Sequence, residues 1–187
     1  CMKNNIKFNN SNILYTFSSV NSKYTVELTY DFINQYQLQN TSIKISSKSN
    51  NAISSIDIRK LNIYSLNKKA QKQISNLADV DNDYFIKKTG NKDFNKINVT
   101  KFVKNINTRN TSSRSELMCQ YAYVYDFYIK SNHNNYSLFL AKKLNYSENY
   151  IKNLTKELFE KKYLLKNTKG VPGGVFSKKT LKYFNSL

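Results

Sequence analysis

From Tyr24 to Tyr30 apolar and polar positions alternate: Tyr24, Val26, Leu28 and Tyr30 fall on one side of an extended chain, Thr25, Glu27 and Thr29 on the other. Period two is the pattern of a strand with one buried face. Ahead of it, Ile13-Leu14-Tyr15-Thr16-Phe17 is rich in β-formers and Asn21-Ser22-Lys23 supplies a turn, so residues 13–30 predict a β-hairpin with a potential free edge. Ile43-Lys44-Ile45 predicts a shorter third strand. The pattern then lengthens. Ser54 or Ser55 can cap a short helix carrying Ile56, Lys60 and Ile63, and a second helix is expected over residues 66–77. Residues 79–98 carry no clear period. Val99, Phe102, Val103 and Ile106 return to helical spacing and predict a connecting helix. Residues 105–113 are polar and read as a linker. The expected division is an N-terminal α+β part over residues 1–110 and a C-terminal part over 113–187.

The pattern is clearest after that linker. Ser113-x-x-Glu116 has the form of a capping box and opens a helix with Leu117, Tyr121, Val124, Phe127 and Tyr128 on one face. The Asn-rich run 132–135 ends it. Ser137 is the expected cap of a second helix over 138–144, Asn145-Tyr146 the turn, and Ser147 the cap of a third. Phe139, Leu140, Leu144, Ile151, Leu154 and Leu158 form the inward set of these two helices, which share one small core across a tight turn. Tyr163-Leu164-Leu165 and Val175-Phe176 read as strands flanking a loop that holds the only proline and three of the four glycines. Ser177 is the expected cap of a final helix carrying Leu181 and Phe184.

Three helices, a hairpin and a closing helix follow the order of the winged helix-turn-helix superfamily, which residues 115–186 resemble. Ala141, Leu144, Ser147, Ile151, Leu154 and Leu158 stand at that superfamily's spacing. The stretch LKNTKGVPGGVFSKKTLKYF is also similar to the C-terminus of a family of uncharacterised, largely actinobacterial proteins, and Ile58-Arg59-Lys60-Leu61-Asn62-Ile63 faintly resembles an earlier segment of theirs. That family implies an architecture and no function. The fold class expected is therefore α+β, a small N-terminal β-sheet with helices followed by a C-terminal winged helix-turn-helix.

Charge changes the picture next. The chain of 187 residues has a formal net charge of +18, from 30 Lys and Arg against 12 Asp and Glu. Only Arg59, Arg109 and Arg114 are arginine. Codons rich in A and T account for lysine in place of arginine, and for the abundance of Asn, Ile, Tyr and Phe, but not for the shortage of acids. Such an excess favours a polyanion, nucleic acid before a membrane surface. No stretch of about 18 apolar residues is present, residues 4–22 lack the apolar core of a signal peptide, and the two cysteines form no disulfide framework. Cys1, ahead of Met2, reads as an addition to the natural start, and Cys119 as a small buried residue. A cytoplasmic location is expected.

The resemblance implies double-stranded DNA as partner, with the N-terminal half of the third helix in the major groove. That half would expose Ser147, Glu148, Asn149, Lys152, Asn153 and Lys156. Asn149 and Asn153 have the chemistry to read adenine, Glu148 to accept from cytosine, and Lys152 and Lys156 to reach guanine or phosphate. Lys166 and Lys169 flank the glycine-rich loop and suit phosphate or minor-groove contact; Lys142 and Lys143 are candidate phosphate clamps. The expected role is a transcriptional regulator of phage or mobile-element type, paired as a homodimer through its N-terminal half. The alternatives are a protein–protein interaction module and a replication initiator or accessory factor.

Catalysis and cofactors are not expected. His133 is the sole histidine, and the loop at residues 170–174 lacks the Lys-Ser/Thr of a phosphate-binding loop. Asp79, Asp81 and Asp83 alternate as at the start of a calcium loop, but Tyr84 and Gly90 stand where that loop needs Gly and Glu, so they read as an acidic turn.

Overall fold

The protein was described from a computed structural model. It covers residues 4–9, 12–21, 23–49, 51–80, 82–93, 97–130, 135–167 and 173–187, with the side chains of all of these except 4, 19, 78–80 and 82. The architecture is α+β, and the chain divides into two compact units, Cys1–Asn95 and Lys96–Leu187.

The first unit is an antiparallel meander of β1 (Asn4–Phe8), β2 (Asn12–Val20), β3 (Tyr24–Asn34) and β4 (Gln37–Ser47) with α1 (Ser55–Lys60), α2 (Ile63–Val80) and α3 (Asn82–Thr89). Period two puts Ile13, Tyr15 and Phe17 of β2 and Tyr24, Val26, Leu28 and Tyr30 of β3 on one buried face. Leu66, Ala70 and Ile74, spaced by one helical turn along α2, and Phe85 of α3 complete that core. The two deepest tyrosines are satisfied from α2: the Tyr15 hydroxyl donates to Gln73 and the Tyr30 hydroxyl to Asn67 Oδ1.

Several expectations change here. β1 flanks β2 and β4 flanks β3, so the 13–30 hairpin has no free edge; the open edges belong to β1 and β4. β4 spans 11 residues rather than three, because a bulge at Thr41 resets its register and Asn40 Nδ2 caps Thr29 O (3.0 Å) and Ser42 O (3.1 Å) there. Ser54 does cap α1, with Asp57 returning to it, yet α1 buries no residue and Ile56 is 60 % exposed. The capping box supports this six-residue helix locally, and Asp57 also bonds the Tyr24 side chain. The unpatterned stretch after residue 79 holds α3, whose first turn contains Asp83, an acid placed where a helix dipole favours it.

The second unit contains α4 (Val99–Asn107), α5 (Arg114–Lys130), α6 (Tyr136–Leu144), α7 (Glu148–Glu160), β5 (Leu164–Lys166), β6 (Gly174–Phe176) and α8 (Lys178–Asn185). The polar stretch 105–113 does not separate units. α4 is built into this one: the Phe102 ring stacks on Phe184 (6.0 Å) and meets Tyr123 edge-on (5.6 Å), and Asn107 Nδ2 donates to Lys143 O (3.1 Å). α5 is the central element, touched by α4, α6, α7 and α8. It therefore buries Met118, Cys119, Gln120, Tyr121, Ala122, Val124, Tyr125 and Asp126, not the single stripe expected, while Phe127 is 39 % exposed. Its N-terminus is capped in two parts. Ser113 Oγ accepts from the Glu116 N–H (3.1 Å), but the Glu116 carboxylate accepts from the Ser112 N–H (2.7 Å) instead of returning to Ser113.

Candidate nucleic-acid interface

α6 and α7 are joined by a tight turn set by one left-handed residue. Asn145 has φ 53°, and both its N–H and that of Tyr146 reach Ala141 O, closing the end of α6. Asparagine tolerates that conformation better than other side chains with a Cβ. Asn135, not Ser137, caps α6; Ser137 is one residue inside the helix and buried, its hydroxyl between Asn135 Oδ1 (3.1 Å) and Glu148 Oε1 (2.9 Å). Ser147 caps α7 by accepting from the Tyr150 N–H.

The inward side of the pair is Leu140, Ala141, Leu144, Ile151, Leu154, Thr155 and Leu158. Phe139 is only half-buried, against Tyr128 (5.1 Å). Thr155 donates to Ile151 O (2.9 Å), which leaves its oxygen to accept from the buried Tyr121 hydroxyl at 2.7 Å. These contacts fix the rotation of α7 on α5, and hence which of its side chains face solvent.

Those side chains are Asn149, Lys152, Asn153 and Lys156, all exposed and at the i, i+3, i+4, i+7 spacing of one helix face. Among the described residues Asn149 and Asn153 have no side-chain partner. Lys152 pairs with Glu148 (2.9 Å), and Lys156 lies 3.8 Å from Glu160. Glu148 is half-buried, and its carboxyl is held below the usual range, first by Lys152 and then by Ser137. Both internal contacts fall on Oε1. Ser147 is exposed, with its oxygen engaged in the cap. Lys142 and Lys143 project from the last turn of α6, the Lys143 ammonium 5.8 Å above the Tyr128 ring.

The β5–β6 hairpin pairs Leu164 with Phe176 and Lys166 with Gly174, and Lys166 is exposed. Lys169 lies outside the described residues, as does His133. The hairpin is anchored by a residue that sequence reading missed. Asp126 of α5, buried, accepts from the Gly174 N–H (2.9 Å) and pairs with Lys130 (2.7 Å). Glycine is required on the strand side of this contact. Gly173 has φ 82°, and a Cβ there would lie 2.3 Å from Asp126 Oδ1; one on Gly174 would lie 2.5 Å from Leu164 Cγ. At the far end, Ser177 occupies the cap position of α8 without a side-chain cap bond; the Thr180 hydroxyl instead donates to Tyr163 O (2.7 Å).

Arg114 is the second missed residue. Its guanidinium grips both oxygens of Glu157 on α7, and Nη1 donates to the Tyr150 hydroxyl at 2.9 Å. The Glu157 carboxyl is held down to about 2 by Arg114 and then by Lys161. The available signal was the rarity of arginine in a lysine-rich chain, since a forked, planar contact is one that lysine cannot make. A carboxyl depressed in the folded state stabilises it above its unfolded pKa, near 4.5, and that contribution is lost as pH falls towards about 2. The stability difference between the native chain and Glu157→Gln should therefore shrink on acidification across that window. Arg114 is 47 % exposed, so solvent screening keeps the effect modest. A difference independent of pH would show that the fork contributes nothing through charge.

The second unit carries 17 lysines and arginines against five acids, a formal +12 of the total +18. Every one of the five has an internal partner: Glu116 with Ser112 and Tyr183, Asp126 with Lys130, Glu148 with Lys152, Glu157 with Arg114, and Glu160 with Lys156. The positive excess is thus left to the solvent side. Among the described residues no three His, Cys, Asp or Glu side chains gather as metal ligands, and no helix is long and apolar enough to cross a membrane. Cys119 is buried, and burial pushes its thiol up to about 11, away from reactive thiolate chemistry. The chain matches no family model, no curated protein and no solved structure.

Proposed function

We propose that the second unit is a winged helix-turn-helix that binds double-stranded DNA, with α7 in the major groove and the β5–β6 hairpin as the wing against the backbone. The observation that carries this reading is the solvent face of α7. Asn149 and Asn153 stand there without side-chain partners among the described residues, on a helix whose rotation is locked from behind by Tyr121–Thr155 and Arg114–Glu157. A rigid helix presenting two amides between two lysines has the means to read adenine edges while touching phosphates. Of the roles compatible with that surface, a sequence-specific regulator of mobile-element type is the one we put forward.

Asn153→Ala tests it. On a preferred duplex, selected from random DNA, the substitution is expected to cost about 1–3 kcal/mol, and much less on random sequence. Equal losses on both would move Asn153 to the backbone; no binding of any duplex at low salt would sink the reading and leave an interaction module.

Such domains commonly pair to read two half-sites about one helical turn apart. The homodimer proposed for this chain cannot use the 13–30 hairpin, whose two strands are both internal. It would use the outer edge of β4, which has a single charged residue, Lys44, among 11. Sedimentation of the full chain is expected to show a dimer that Ile43→Pro converts to a monomer. A full chain that stays monomeric at high concentration refutes the pairing.

A further inference from the structure

A cleft of about 500 Å³ opens between the end of α4 and the start of α7, a volume within the range of small-molecule sites. Leu117 gives it an aliphatic wall, with the fully buried Ile106 beneath the floor. Tyr146 and Tyr150, their rings 4.6 Å apart, give it an aromatic one, and Arg109 and Thr111 stand at its edge. Most polar groups there are already engaged. The Tyr146 hydroxyl donates to Ile106 O, and the Tyr150 hydroxyl accepts from Arg114. The Arg109 guanidinium and the Thr111 hydroxyl have no partner among the described residues, and no acid lines the cleft.

Arg109 also sits where its side chain is not the easy choice. Its φ is 54°, in the left-handed region that Asn21, Asn145 and Lys162 also occupy. It is one of only three arginines. The guanidinium, the one fork-shaped donor among the groups lining the cleft, stands there without a partner among the described residues.

We propose that this cleft binds a small planar organic anion of the aromatic carboxylate type. The ring lies against the tyrosine wall and Leu117, and the carboxylate takes a forked contact from Arg109 with Thr111 donating beside it. This site does not depend on the DNA-binding reading and is tested without DNA.

The test is titration of the full chain with sodium naphthoate, followed through backbone amide resonances. Saturable shifts are expected at Ile106, Thr111, Leu117, Tyr146 and Tyr150, with a Kd on the order of 1 mM or tighter. The neutral alcohol of the same ring is expected to bind at least about five-fold more weakly, and Arg109→Asn to weaken naphthoate at least about ten-fold. The Arg109→Asn chain should keep or raise its Tm, because asparagine adopts the left-handed turn more readily. The proposal fails if shifts do not saturate or fall elsewhere, if alcohol and carboxylate bind alike, or if Arg109→Asn retains its affinity. It also fails if Arg109→Asn lowers the Tm, since Arg109 is then a structural residue.

Discussion

Replacing Asp126 with alanine is expected to destabilise the second unit by about 3–5 kcal/mol, the largest effect of any single substitution considered for this chain. Two groups lose their partner at once. The Lys130 ammonium, on a side chain only 17 % exposed, loses a carboxylate that is 6 % exposed. The Gly174 N–H, also buried, loses its acceptor. Each unmet group carries a desolvation cost, about 1–3 kcal/mol for a neutral one and more for a charge. Thermal unfolding measures the total. At about 4–8 °C per kcal/mol for a unit of this size, the fall in Tm should exceed roughly 12 °C. Faster hydrogen exchange at the Leu164 and Phe176 amides would place the loss in the hairpin. Asp126→Asn keeps an acceptor for Gly174 and should lose clearly less. A loss under about 1 kcal/mol for the alanine variant would mean that Lys130 and Gly174 find other partners readily.

Changing Lys142, Lys143, Lys156 and Lys166 together to glutamine is expected to weaken duplex binding about a thousand-fold at physiological salt. All four are exposed, and among the described residues only Lys156 has an acid near its ammonium, at a loose 3.8 Å. Each phosphate contact contributes roughly 0.9 to the log–log dependence of affinity on salt, so four lost contacts should flatten that slope by about 3 to 4, on any DNA sequence. Fluorescence anisotropy across a salt series reads both quantities. The fold should survive, since none of the four is buried. An unchanged slope would take this surface off the DNA backbone and, with it, the proposed orientation of α7.

Much of the second unit was legible along the chain, because its elements announce themselves locally. Ser147 and the apolar spacing of Ile151, Leu154 and Leu158 define α7 with no reference to anything distant. The alternation from Tyr24 to Tyr30 does the same for β3. Where local signals failed, the cause was a long-range contact. β1 has only Ile6 and Phe8 to mark it, and it exists because Ile6 pairs with Tyr15 and Phe8 with Ile13. α5 was assigned one buried stripe, as for a surface helix, and is enclosed by four helices. Ser137 looked like a cap by type, but the chain leaves its loop two residues earlier, at Asn135.

The candidate interface divides in the same way. Local sequence determined which residues are polar on the outer face of α7, because a 3.6-residue repeat with a buried set at 151, 154 and 158 leaves 149, 152, 153 and 156 outward. Tertiary structure alone decided which of those are available. Lys152 and Glu148 pair locally across a helical turn, but it is the fold that brings Ser137 of α6 to Glu148, while among the described residues Asn149 and Asn153 have no side-chain partner. It decided, too, that Asp126 holds the hairpin across 48 residues of sequence, and Arg114 holds α7 across 43. A carboxylate or a guanidinium reads from sequence only as a charge. Its partner is set by which backbones the buried core brings together, and that core is assembled from every element of the unit at once.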